Sequence, residues 1–135
     1  MIQATYTRTS PAFAYTGDTI TWELVVKNYG LETVTVTTAF PTPFMVALQP
    51  DLLTEGAPIY SSGASASGSD HVLPTLGTVT QTISYVAPDV ENVRVTAVAI
   101  VTWPKDPAVI KVTDSQTATR DPNRKELTAD HAFIN

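Results

Sequence analysis

The chain contains no cysteine. That absence removes disulfide staples, thiolate nucleophiles and cysteine-ligated metals together, so the fold has to rest on a hydrophobic core. Basic residues are also scarce: Lys and Arg number 8 against 13 Asp and Glu, a formal net charge of −5. A surface of that sign is a poor general binder of phosphate backbones, and nucleic acid is not expected as a partner. The charges are scattered, with no run that would make a tail.

Histidine occurs only at His71 and His131, each directly after an aspartate. Neighbours on a strand point to opposite faces, whereas a metal site needs several converging ligands. Both histidines are therefore expected as exposed polar residues, and no metal or cofactor is expected. No apolar run approaches the roughly 20 residues that span a bilayer, so no membrane partner is expected. The start, Met1 to Arg8, lacks the basic-then-apolar pattern of a secretory signal. Two origins fit: a product made in the cytosol, or an expressed fragment of a longer protein.

What the chain does have is alternation. Gly17-Asp18 opens a run in which Ile20, Trp22, Leu24 and Val26 share one face, while Thr19, Thr21, Glu23 and Lys27 mostly take the other. That is the pattern of a half-buried antiparallel strand, here predicted over Thr19 to Asn28. Threonine is abundant and falls mostly at alternate positions within apolar runs, which favours strands over helices. Further strands are predicted at Ile2 to Thr9, Glu32 to Ala39, Phe44 to Leu48 (a short edge), Thr78 to Val86, Asn92 to Trp103 and Ala108 to Thr113. In Thr78 to Val86 the shared face of Val79, Ile83 and Tyr85 is interrupted by Gln81. Trp22 and Trp103 are expected in the core.

Between Gln49 and Ser69 the pattern dissolves into a long loop with a small-residue tract, Ser61 to Ser69, broken at most by a short strand at Pro58 to Ser61. A structureless segment of that length is usually functional or disordered. From Asp114 the chain turns polar, with Asp121-Pro122 suited to start a short helix running to about Asp130. These signals predict one all-β domain, a sandwich of about seven to eight strands over residues 1–113, followed by a C-terminal arm or strap over residues 114–135.

The order of signals resembles the DUF11-type, CARDB-like immunoglobulin-like domains. Gly17-Asp18-Thr19-Ile20-Thr21-Trp22 and Val25-Val26-Lys27-Asn28-Tyr29-Gly30 are similar to the opening of that family. Phe40-Pro41 stands where its next strand ends, and Leu73-Pro74-Thr75-Leu76 resembles its later step. The family's asparagine-rich final strand has no counterpart here. The resemblance, covering roughly Gly17 to Trp103, implies Greek-key topology and a stalk, adhesion or structural role, with no catalytic residues to carry over.

No phosphate cradle, paired metal-ligand motif or nucleophile elbow is present, so no enzyme is expected. Three readings remain. The first is a virion structural protein, a head decoration or accessory capsid protein of a phage that binds a capsid protein or itself in a symmetric assembly. The second is an adhesion module of a secreted surface protein, placing the chain at the cell surface. The third is a carbohydrate-binding module. Partner-binding residues are expected in the small-residue loop and the arm: Tyr60, Ser62, Ser65, Ser67, Arg120, Arg124, Phe133 and Ile134.

Overall fold

In β3 (Thr19–Asn28) the alternation becomes burial: Ile20, Trp22, Leu24 and Val26 all lie in the core. The computed structural model describes residues 1–11, 14–15, 17–48, 58–61, 63–88, 92–104 and 109–119. The helix expected from Asp121, together with His131, Ser62, Arg120, Arg124, Phe133 and Ile134, lies outside the described residues. In chain order the strands are β1 (Ile2–Arg8), β2 (Ala14–Tyr15), β3, β4 (Val34–Ala39), β5 (Phe44–Ala47), β6 (Ile59–Ser61), β7 (Ser69–Leu73), β8 (Thr78–Val86), β9 (Asn92–Thr102) and β10 (Val109–Thr119). Seven of them have five residues or more and carry the sandwich; β2, β5 and β6 are short additions at its edges.

One sheet has the order β1-β3-β8-β6 and the other β2-β10-β9-β4-β7. The first is the A-B-E-D arrangement of an immunoglobulin-like sandwich and the run β10-β9-β4 is its G-F-C arrangement. The core lies between them, where Trp22, Leu24, Ile83 and Tyr85 of one sheet meet Val36, Val93, Val95 and Val101 of the other. β9 is central. On one side it pairs with β10 along its whole length; on the other, Ile100 to Thr102 pair with β4 and Val93 to Thr96 with β5. Phe40 to Pro43 separate those two strands because Pro41 and Pro43 have no amide to give a ladder.

Several expectations are corrected. The last strand does not stop at Thr113 but continues to Thr119, so the expected boundary at residue 114 falls inside β10. Its polar appearance arises because inward Asp114 and Gln116 sit where the sheets meet through side chains such as Arg8, whose Nη1 donates to Gln116 Oε1. Two strands are not predicted by the sequence: β2, and β7, which begins where the expected loop ends at Ser69. β7 alternates in reverse, with Ser69 and His71 partly buried and Val72 exposed, so hydropathy hides it. Val98 faces out of the sandwich between Ala97 and Ala99, yet is only 2% exposed.

Candidate functional site

The small-residue loop is tied down where it is described. Phe40 donates its amide to the Ser65 carbonyl at 3.0 Å, and Ser65 Oγ accepts the Gly68 amide at 3.0 Å. Gly63 and Gly68 take positive φ angles of 75° and 117°, conformations that glycine adopts without strain. Ser65 thus closes a turn, and its hydroxyl is engaged in doing so. Ser67 is exposed. Tyr60 is partly buried: its hydroxyl donates to the Phe40 carbonyl at 3.1 Å and its ring packs at a tilt against Phe40, 6.5 Å between centroids. Of the residues expected to bind a partner, Tyr60 and Ser65 therefore serve the fold.

His71 is not an exposed polar residue either. It faces inward from β7, with Nε2 at 2.9 Å from Thr38 Oγ1 and 3.1 Å from Ser69 Oγ. The Thr38 hydroxyl donates to Gln81 Oε1, and Gln81 Nε2 donates to Ser69 Oγ at 3.3 Å. Because Thr38 has one proton and gives it to Gln81, the contact with His71 requires Nε2–H to be the donor. This answers the interruption in β8: Gln81 does point into the core, fully buried, and a polar cluster across the two sheets satisfies it. Among the described residues no three His, Asp or Glu side chains converge as metal ligands.

Two surface features remain that neither loop nor arm would have indicated. The first is the outer face of β5. Phe44 and Val46 alternate outward, 60% and 55% exposed, with Leu48 just beyond, while Met45 turns inward to meet the Tyr85 hydroxyl at 2.8 Å. Among the described strands β5 pairs only with β9, so its other edge offers free main-chain groups beside an apolar strip. The signal was available in the alternation of Phe44 to Leu48, but nothing in sequence shows which face of an edge strand is covered.

The second feature is a shallow cleft of about 360 Å³ on the outer face of the larger sheet, lined by Thr35, Thr37, Thr102, Trp103, Pro104 and Val109. Register explains its composition. Thr37 on β4 pairs with Thr102 on β9, and Thr102 pairs with Val109 on β10, so one row crosses three strands. On β7, Asp70 extends the row, and the Thr37 hydroxyl donates to its Oδ1 at 2.6 Å. Trp103 follows the end of β9, half-buried against the margin of the core, and forms the end of the cleft.

Comparison with known proteins bears on the fold. No protein-family model matches the chain, and no curated protein matches it. Among solved structures it is similar to the ASH/PapD-like domain of human CEP192 (PapD-like domain 7), with a TM-score of 0.51, 13% identity, and coverage of 87% of this chain and 84% of that one. At that identity the likeness shows an immunoglobulin-like β-sandwich.

Proposed function

We propose that this chain is a non-enzymatic structural module whose work is to hold on to another protein, and that the outer face of β5 is the surface it uses. The observation that carries this reading is the strip Phe44, Val46 and Leu48, exposed beside an unpaired strand edge. Apolar side chains in such a row favour contact with a partner over contact with water, and the adjacent main chain can add a strand. In its finer form the partner belongs to a virion: a small sandwich with one sticky edge suits a symmetric lattice, where the same patch is reused around each axis. The resemblance of Gly17 to Gly30 to DUF11/CARDB-type domains supports a second form, an adhesion or stalk module at a cell surface.

Mixing the purified protein with undecorated capsids and sedimenting them tests the first form. Co-sedimentation that is lost in a Phe44→Asp, Val46→Lys double variant is the expected result. Capsids that sediment without the protein would remove the virion reading. If the double variant is retained as well as the parent, β5 is not the surface.

A further inference from the structure

Away from β5, the cleft beside Trp103 has the makings of a ligand site, and we propose that it is a subsite for a single neutral sugar ring. The two features are distinct: β5 pairs with Thr96 and its neighbours, the cleft contains Thr102, and six residue steps along β9 separate them by about 20 Å.

The chemistry of the lining selects the class of ligand. Its volume, about 360 Å³, falls at the lower end of the range of roughly 300–1,000 Å³ for small-molecule sites. The six lining residues among those described carry no charge, and the Asp70 carboxylate stands beside Thr37, which disfavours phosphate and carboxylate ligands. Three of the six are threonines, and neither Thr35 nor Thr102 gives its hydroxyl to another described residue. Trp103, Pro104 and Val109 supply apolar surface next to them. A ligand that meets both needs must present C–H groups on one side and hydroxyls at its rim, as a pyranose does. The indole of Trp103 is a flat apolar body that such a ring can lie against. Asp70, already holding the Thr37 hydroxyl at 2.6 Å, fixes Thr37 with its proton turned toward β7 and leaves its oxygen lone pairs to accept from a ligand hydroxyl. Strands β4, β9 and β10 hold the three threonines and Val109, so that part of the lining needs little reorganisation to bind.

The experiment is a titration of the ¹⁵N-labelled chain with methyl glycosides of glucose, galactose and mannose. The amides of Thr35, Thr37 and Thr102 and the indole N–H of Trp103 are followed, with the buried indole of Trp22 as an internal control. At least one glycoside is expected to shift all four signals saturably while Trp22 stays still. Thr102→Val keeps the shape and removes one hydroxyl, and should weaken that binding about three- to tenfold. Thr35→Val, at an exposed position, provides an independent check in case the first variant alters the sheet. If no glycoside produces a saturable shift, the proposal fails. It fails equally if both valine variants bind as the parent does, or if an apolar peptide moves these signals and the glycosides do not, which would make the cleft a protein-docking surface.

Discussion

The side-chain amide of Asn28 on β3 donates to the main-chain carbonyl of Leu73 on β7 at 2.9 Å, joining the two sheets through a residue that is 1% exposed. The same amide donates to the Glu32 carbonyl at 2.8 Å, and its Oδ1 accepts the Gly30 amide at 2.9 Å. Gly30 is needed for this: a Cβ there would stand 2.8 Å from the Met1 nitrogen and 3.2 Å from Asn28 Oδ1. Replacing Asn28 by Ala strands the buried Leu73 carbonyl and removes part-buried bonds to Glu32, Pro74 and Gly30 at once, and should cost about 2–4 kcal/mol in urea unfolding. A loss below about 0.5 kcal/mol would mean that the amide is not a cross-sheet pin.

Leu76 offers the opposite kind of change. It sits at φ 63° in the turn closed by the Gly77 amide and the Pro74 carbonyl, 2.7 Å apart, and its side chain is largely exposed. A branched residue is strained in that region, whereas glycine is not. Leu76→Gly should therefore stabilise the protein by up to about 1 kcal/mol. A fall in the urea midpoint would show that Leu76 packing outweighs the strain.

Tyr6 sets an alkaline limit. Burial, then the Asp114 carboxylate, then Tyr60 raise its hydroxyl above the usual tyrosine value. The folded chain thus holds the proton more tightly than the unfolded chain. This contribution is complete below about pH 10, the unfolded value, and is lost as the pH climbs further. Unfolding free energies measured at neutral pH and at about pH 10.5 should fall between the two. Tyr6→Phe should flatten that fall without abolishing it, because burial raises Tyr60 as well. At neutral pH the variant should lie within about 1 kcal/mol of the parent, since the Tyr6 hydroxyl has no hydrogen-bond partner among the described residues.

The β5 face should separate stability from association. Phe44→Asp and Val46→Lys replace exposed groups, and each should leave the unfolding free energy within about 0.5 kcal/mol of the parent. Analytical ultracentrifugation of parent and double variant then reads any self-association through this edge. A variant that unfolds more readily would place Phe44 or Val46 in the packing of the domain.

How much of this was legible depended on whether alternation and hydropathy agreed. They agree in β3, whose predicted limits, Thr19 and Asn28, are also its observed ones. They disagree in β7 and in the second half of β10, where polar side chains face inward and are satisfied by partners distant in sequence: His71 by Thr38 on the neighbouring strand β4, Gln116 by Arg8 across the sandwich. A polar residue at a core position reads as the end of a strand until its partner, distant in sequence, is known. The Asn28-Tyr29-Gly30 step was legible as a resemblance, but its purpose was not, because the Leu73 carbonyl it holds is 45 residues away. The cleft was hidden for a similar reason. Its threonines looked like ordinary strand residues, and only the pairing of β4, β9 and β10 sets Thr37, Thr102 and Val109 in one row.

The parallel pairing of β2 with β10 has a consequence for how the molecule opens. Only two register pairs, Ala118 with Ala14 and Thr119 with Tyr15, join these strands, whereas β9 and β10 share eleven. The first can detach while the second stays whole, so fluctuations of the native state should begin there, well below the free energy of global unfolding. Such an opening bares the last two residues of β10, Ala118 and Thr119, and lengthens the margin that β10 already presents, among the described strands, over Val109 to Thr117. That added stretch comes and goes with β2, whereas the edge of β5 stays unpaired among the described strands.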